Sequence, residues 1–508
     1  MSKKIIIIGA GPGGLAAAMM LSANGYNVTV LEKQSYVGGR NSSIKLGEFI
    51  FDMGPTFLSM PHIAEEIFHE SNRDLHDYIK LIELKDMYEL VFPDKSFMVT
   101  RDQEAMINTI EKYFPGDGAG YSRFMKETEQ KMAALTPILQ GKMDKFYHYM
   151  QWKVLKALPQ LNLGSSLYDQ LSKYFSAEQL KLAFTFQSKY LGMSPWECPG
   201  AFSILSYMEH AYGIFHPIGG VNQLSEGMAK VVKEHGGTIV LDKGVKKLWL
   251  DGRKVKGVIL DDGSKMEADE VVVNGDFAHI MTNLVDEGVL RKYSRKKLEK
   301  KKYSCSTFMI YLGLNKTYEL PHHTIVFAAD YKKNVEEITK TKKLSEDPSI
   351  YVQNASVTDP TLAPKGKSAL YILAPVPNNF SKIDWEKNKE AFRQLVFQTL
   401  EEKTGFKNLE QHIEEEKILT PDDWEKEILV YKGATFNLGH QLSQMMVLRP
   451  HNRFEELENC WLVGGGTHPG SGLPTILESA RITTHLLREK HESFSLKEIR
   501  AQRLERVQ

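Results

Sequence analysis

Cysteine is scarce in this chain of 508 residues. Cys198, Cys305 and Cys460 lie far apart, fit no C-x-x-C spacing and cannot all pair. A disulfide framework and a zinc site are therefore not expected, no metal is called for, and a reducing cytosol suits the chain. Long apolar runs are missing too: nowhere do eighteen consecutive apolar residues occur, so a membrane-spanning helix is not expected, whereas lying on a membrane surface stays open. The short apolar run at residues 5–8 follows Lys3 and Lys4 but passes at once into glycines, with no small-residue cleavage pattern, and does not read as a signal peptide. Charge of one sign is also lacking, since Lys+Arg and Asp+Glu are both 64. Without a basic excess, nucleic acid is not an expected partner. No internal repeat or long low-complexity segment is present.

The sequence does contain an ordinary globular composition, 42% apolar and 25% charged, at a length that favours more than one domain. The opening forty residues carry the sharpest pattern. Residues 5–8, all isoleucine, read as a buried parallel strand running into Gly9-Ala10-Gly11-Pro12-Gly13-Gly14. Residues 15–24 read as a helix ended by Asn24-Gly25, and residues 26–31 as a second strand closed by Glu32. This is a βαβ unit with G-x-G-x-x-G between strand and helix and an acid about twenty positions on, the fingerprint of a dinucleotide site. Gly9 allows the tight turn, Gly11 lets a pyrophosphate approach the backbone, Gly14 lets helix and strand pack closely, and Glu32 offers acceptors to ribose hydroxyls.

Strand-and-helix alternation returns at residues 219–273 and again at residues 460–488, where Cys460-Trp461-Leu462-Val463 enters Gly464-Gly465-Gly466 and residues 476–488 read as a helix. Residues 59–214 read as largely helical and aromatic. The expectation is an α/β fold: a Rossmann-type nucleotide domain assembled from discontinuous segments (1–85, 212–290 and 430–490), plus an α+β substrate domain with a helical subdomain (86–211 and 291–429). Residues 491–508 form a charged tail. The charge-dense stretches 291–302 and 488–508 read as solvated helices.

Beyond Glu32-Lys33, the chain continues with Val37-Gly38-Gly39-Arg40 and Phe51-Asp52-Met53-Gly54-Pro55-Thr56. In these segments it resembles the flavin amine-oxidase and phytoene-desaturase superfamily. The resemblance implies FAD as cofactor, with Arg40 near its phosphates and ribityl chain and Asp52 to Thr56 approaching the flavin. Gly464-Gly465-Gly466-Thr467-His468-Pro469-Gly470-Ser471-Gly472-Leu473-Pro474-Thr475 is similar to the closing flavin signature of bacterial carotenoid desaturases, and a typical amine oxidase has glutamate where Gly465 stands. The residues the resemblance assigns to FAD are Gly9, Ala10, Gly11, Gly13, Gly14, Glu32, Lys33, Gly39, Arg40, Gly54, Pro55, Thr56, Val245, Gly465, Gly472 and Leu473.

The resemblance spans essentially the full length and is nearest to desaturases of the thirty-carbon pathway, which act on 4,4'-diapophytoene. It implies an FAD-dependent oxidoreductase that takes hydride from an allylic carbon of a lipophilic polyene. Sister oxygenases of 4,4'-diaponeurosporene share the scaffold but tend to carry Asn-Pro-Gly-Gly-Gly where this chain has His468 to Gly472. A flavin-dependent isomerase and a non-catalytic carotenoid-binding flavoprotein are further alternatives. A catalytic residue is not identified; Glu209 and His468 are the candidates. Met143 to Trp152, Phe184, Phe186, Tyr190, Phe202 and Tyr207 are candidates for an apolar tunnel, each equally suited to core packing. The basic and aromatic stretch 142–156 suits an interfacial segment, so the protein is expected in the cytoplasm, peripherally on the membrane. With one dinucleotide fingerprint in the chain, a dedicated NAD(P) domain is not expected, and the resemblance implies a quinone or oxygen as electron acceptor.

Overall fold

A computed structural model describes residues 2–143, 145–162 and 164–505, except for the side chains at 146, 153, 158, 190 and 493–505. The opening isoleucines form Lys4–Ile8, the central strand of a five-stranded sheet. Its order is Thr238–Val240, Asn27–Leu31, Lys4–Ile8, Glu270–Val273, Cys460–Leu462, and every pairing is parallel. Its strands thus come from the beginning, middle and end of the chain. A strand covered on both faces needs apolar side chains on both, which explains the unbroken isoleucine and valine runs. The helix Pro12–Ala23 is apolar all round and buried from Gly13 to Ser22. It packs against the helices Asn222–Glu234 and Leu473–Glu505, so no face meets water. The opposite face of the sheet is covered by the antiparallel strands Val245–Asp251, Lys254–Leu260 and Lys265–Glu267 around Leu248, Val258 and Leu260.

A second, seven-stranded sheet has the order Ile413–Leu419, Ser306–Leu314, Ser368–Val376, Ile350–Gln353, His323–Val326, Asp86–Val91, Ser96–Thr100. It is antiparallel throughout apart from the parallel contact of His323–Val326 with Asp86–Val91. The helix Trp385–Lys403 seals one face through Trp385, Phe392 and Val396. On the other face, Met309, Tyr311 and Tyr371 meet Phe49, Phe51 and Met53 from the hairpin that follows the dinucleotide unit. The seven-stranded sheet therefore packs onto the hairpin that follows the dinucleotide unit. Among the described residues, no helix is long and apolar enough to cross a membrane.

The stretch 59–214 is largely helical, as expected, and also holds the strands Leu81–Glu83, Asp86–Val91 and Ser96–Thr100. Asp86–Val91 pairs with His323–Val326, more than two hundred residues away, a long-range pairing that local periodicity does not register. The stretch 291–302 is not a solvated helix: only Arg295–Glu299 is helical, and Tyr293 and Leu298 are buried. The Glu456 carboxylate accepts hydrogen bonds from the backbone N–H groups of Arg291, Lys292 and Tyr293 at 2.6–3.0 Å and holds that segment in a turn. The C-terminal helix runs on to Glu505, and residues 506–508 of the charged tail lie outside the described residues.

Candidate active site

The dinucleotide loop lies at the carboxyl end of the central strand. Gly9 has φ +93°, and a Cβ there would stand 2.3 Å from the Asn274 carbonyl oxygen; one on Gly14 would stand 2.2 Å from the Gly9 carbonyl oxygen. Both positions are closed to any side chain. Gly11 is half-buried and begins the helix, and no side chain among the described residues caps it, so the first-turn N–H groups face outward from the loop. Glu32 is buried; its Oε2 accepts from Ala10 N at 2.7 Å and its Oε1 from Gln34 N at 2.8 Å. Lys33 is exposed. Gly38 N donates to Ala10 O at 2.8 Å, which folds Gly39 back over Gly11. Val245 opens its strand, and the turn before it is tied down by Lys243 N donating to Glu32 O at 2.8 Å. Asn274 is a residue that motif reading missed: its Nδ2 donates to the carbonyls of Gly9 (3.0 Å) and Gly11 (3.3 Å) and clasps the loop. Its only sequence signal is its place at the end of a valine strand.

Arg40 Nη1 donates to Thr435 O at 2.6 Å. Asn437 bridges Arg40 and Asp276, with its amide nitrogen donating to Asp276 Oδ2 (2.7 Å) and its oxygen accepting from Arg40 Nη2 (3.1 Å). Burial lowers the Arg40 pKa and raises that of Asp276, and each charge opposes the shift of the other. In the closing loop, a Cβ on Gly465 would meet Asn437 Nδ2 and Ser471 Oγ at 2.8 Å, and Gly472 has φ +109°. Leu473 begins the long C-terminal helix. The buried Arg449, also missed, holds this loop by donating from Nη2 to Gly465 O (2.6 Å) and from Nε to Thr467 O (3.0 Å).

Residues 52–56 are held on one side by the start of the helix Asn222–Glu234 and on the other by the seven-stranded sheet. Asp52 Oδ1 accepts from Val221 N at 2.7 Å, and Gln353 Nε2 donates to Asp52 Oδ2 (3.2 Å) and Thr56 O (3.1 Å). Tyr311 OH donates to Met53 O at 2.7 Å, Tyr371 OH to Gly54 O at 2.9 Å, and Tyr351 OH lies 2.5 Å from Thr56 Oγ1. Burial raises the Asp52 pKa. Gly54 packs against the Arg40 carbonyl, where a Cβ would fall at 2.5 Å. Gly54, Pro55 and Phe57 are half-buried, whereas Thr56 is buried.

The structure does not bring Glu209 and His468 together. Glu209 is buried on the helix Ile204–Tyr212, where its Oε2 accepts from Tyr88 OH (3.0 Å) and Gln187 Nε2 (2.9 Å). His468 Nε2 lies 3.1 Å from Gly141 O, and burial lowers its pKa to about 4, so the ring is neutral and donates to that carbonyl. Of the tunnel candidates, Phe184, Phe186 and Tyr207 are buried in the main core and Phe202 is half-buried; the side chain of Tyr190 and residue 144 lie outside the described residues. The glycine cradle, the uncapped helix N-terminus, the buried carboxylate Glu32 and the guanidinium of Arg40 are a donor and acceptor set that fits an ADP-bearing flavin.

Residues 12–484 match the model of the flavin containing amine oxidoreductases. The chain belongs to that family. It is an FAD-dependent oxidoreductase, and among the family its curated relatives are carotenoid desaturases. It is 49% identical over 490 residues, 96% of each chain, to the 4,4'-diapophytoene desaturase (4,4'-diapolycopene-forming) of a Methylomonas species. It is 32% identical to the 4,4'-diapophytoene desaturase (4,4'-diaponeurosporene-forming) of Staphylococcus haemolyticus, covering 96% of this chain and 99% of that one. Among solved structures, an oxidoreductase of Methanosarcina mazei aligns with a TM-score of 0.65 at 18% identity, over 94% of this chain and 99% of that one. A putrescine oxidase aligns with a TM-score of 0.61 at 14% identity, over 97% and 99%. At such identities the likeness establishes the fold alone.

Proposed function

We propose that this family member desaturates 4,4'-diapophytoene, introducing conjugated double bonds and yielding 4,4'-diaponeurosporene or 4,4'-diapolycopene. The observation that carries the reading is the 49% identity to a diapophytoene desaturase over nearly the whole length of both chains. The intact dinucleotide and closing loops support it. In this reading the nucleotide domain takes residues 1–85, 212–290 and 430–490 and the substrate domain residues 86–211 and 291–429.

When bound, FAD supplies a two-electron acceptor for hydride, which no side chain offers. The first-turn N–H groups after Gly11 hold the pyrophosphate, and the acceptor capacity left on Glu32 holds ribose hydroxyls. Arg40, fixed by Thr435 and Asn437, presents its remaining donors toward the ribityl and phosphate region. The clamped segment Gly54-Pro55-Thr56 and the loop Gly465 to Leu473 are the residues that would hold the flavin. Leu205, Met208 and Tyr212 are half-buried at helical spacing and form an apolar stripe for the polyene, while the neighbouring Ser206, Glu209 and His210 turn into the core. An apolar stripe of this kind positions the chain and excludes water.

A substrate dissolved in a bilayer calls for a docking face. Tyr147, Met150 and Trp152 are 57–69% exposed, with Lys145 over the Tyr147 ring and Lys156 over the Trp152 ring. In this reading the face rests on the membrane from the cytoplasmic side, and a quinone or oxygen reoxidises the flavin. The test is the mass and absorbance of the pigment formed by FAD-loaded protein on liposomes. Stepwise loss of two mass units from diapophytoene, with absorbance moving to longer wavelength, is expected. Inertia toward diapophytoene together with oxygen gained by diaponeurosporene would overturn it.

A further inference from the structure

Behind Thr56 lies a file of buried imidazoles that the flavin site does not use. His216, His322 and His323 are 0%, 6% and 1% exposed, and their ring centroids are 4.9 Å (His216 to His322) and 4.4 Å (His322 to His323) apart. The inner end is anchored: His216 Nε2 lies 3.0 Å from Asp359 Oδ2, and that carboxylate also accepts from Gly219 N at 2.6 Å and from Thr361. His322 Nδ1 lies 2.8 Å from Thr358 Oγ1. At the outer end His323 Nδ1 lies 2.8 Å from Tyr351 OH, which in turn meets Thr56 Oγ1. His216 Nδ1, His322 Nε2 and His323 Nε2 have no hydrogen-bond partner among the described residues. Buried polar atoms are otherwise paired as a rule, so three orphaned ring nitrogens in adjacent rings are exceptional.

Tyr351 is the half-buried member of a strand whose other three residues are buried, and it packs between the main core and the cluster around Met53. Its hydroxyl, bonded to Thr56 Oγ1, brings the outer end of the imidazole file to the residue that follows Gly54 and Pro55. Resting on the desaturase reading, we propose that Tyr351 accepts the proton that leaves the polyene, with His323 as the positioning residue that takes the hydroxyl proton in exchange. The balance is simple. In converting CH2–CH2 to CH=CH, one C–H bond yields a hydride to the flavin-class oxidant, and the neighbouring C–H bond yields a proton while its electron pair becomes the new π bond. The proton goes to Tyr351 Oη as the hydroxyl hydrogen passes to His323 Nδ1, leaving a neutral tyrosine and an imidazolium on His323. The low basicity that burial gives His323, with its pKa lowered to about 3, suits a group that must release the proton again before the next turnover.

The test compares wild type with Tyr351→Phe, His323→Gln and the double variant, all loaded with FAD on liposomes. Substrates are diapophytoene and its forty-carbon analogue, deuterated separately at each of the two reacting carbons. We expect either single variant to lower kcat about 100-fold with KM unchanged, and the double variant to fall no further, as for two residues acting as one unit. Deuterium at the proton-losing carbon should slow the variants more than the wild type. The visible spectrum and dissociation constant of FAD, measured by flavin fluorescence, should stay within twofold in every variant. Turnover of Tyr351→Phe within threefold of wild type would overturn the proposal, as would a loss that travels with weaker FAD binding. If the wild type oxidises neither polyene, the desaturase reading falls and this proposal with it; if only the variants behave as wild type, this proposal falls alone.

Discussion

Glycines at the dinucleotide loop and carboxylates in the core decide most at the scale of single residues. Gly14→Ala places a Cβ 2.2 Å from the Gly9 carbonyl oxygen, backbone against backbone with nothing flexible to yield. We expect it to cost about 1–3 kcal/mol, the range for overpacking, and to abolish FAD retention, read as the flavin-to-protein ratio after gel filtration. Asp359 gives a pH prediction. Burial alone raises its pKa, but hydrogen bonds from His216, Thr361 and Gly219 outweigh burial and hold it near 2 against an ordinary 3.8. A depressed carboxylate stabilises the fold fully above the unfolded value and loses that contribution as pH falls from about 4 toward 2. At roughly 1.4 kcal/mol per pH unit of difference, the contribution is about 2 kcal/mol. Asp359→Asn should therefore unfold more readily in urea at pH 7, and the gap from wild type should shrink on acidification. The glycines of the dinucleotide loop and Glu32 were legible as candidates because each sits in a local pattern whose spacing has a physical reason, whereas Arg40 was legible only through the resemblance of its segment to a known family. Asn274, Arg449, Asp359 and Tyr351 were not, because each acts on a segment tens to hundreds of residues away.

Among elements, those built from local periodicity are where they were expected. The strands Lys4–Ile8 and Asn27–Leu31, the helix Asn222–Glu234 and the strand Lys254–Leu260 each carry their burial in their own residue pattern. The strands Asp86–Val91 and Ser96–Thr100 were hidden within an aromatic stretch because what makes them strands is an edge offered by His323–Val326. Residues 291–293 show the converse, a helix-forming stretch overridden by one side chain. Glu456→Ala leaves the N–H groups of Arg291, Lys292 and Tyr293 without their acceptor. A cost of about 1–3 kcal/mol is expected, measured as a lower urea midpoint with unchanged m-value. Faster hydrogen exchange at those three amides would locate the effect. The segment carrying Tyr147, Met150 and Trp152 gives a prediction on binding instead: glutamate at all three positions should move the protein from the liposome pellet to the supernatant without changing its Tm.

Taken whole, the molecule joins its seven-stranded sheet to the nucleotide unit through one clamp at residues 49–56, which also bonds the start of the helix Asn222–Glu234. Asp52, Met53, Gly54 and Thr56 each answer to groups from elsewhere in the chain, including Val221 and the tyrosines and glutamine of the seven-stranded sheet. FAD held at that junction stabilises both parts at once. At a free concentration one hundred times its dissociation constant it should add about 2.7 kcal/mol, seen as a single calorimetric transition moved upward. Asn274→Ala should narrow that gain by weakening the loop that holds the pyrophosphate.

The order of the parallel sheet bears on how the protein is born. Its central strand is translated first, at residues 4–8, yet its neighbour Glu270–Val273 and the edge strand Cys460–Leu462 leave the ribosome only after most of the chain has been made. At roughly 5–20 residues per second, the first βαβ unit waits about twenty seconds to a minute and a half for the last strand of its sheet. Until Glu270–Val273 emerges and pairs with it, the isoleucine edge is an open template for wrong pairing. A nascent chain of this design is a natural client of ribosome-associated chaperones, and its vitamin-derived cofactor can be locked in place only after termination.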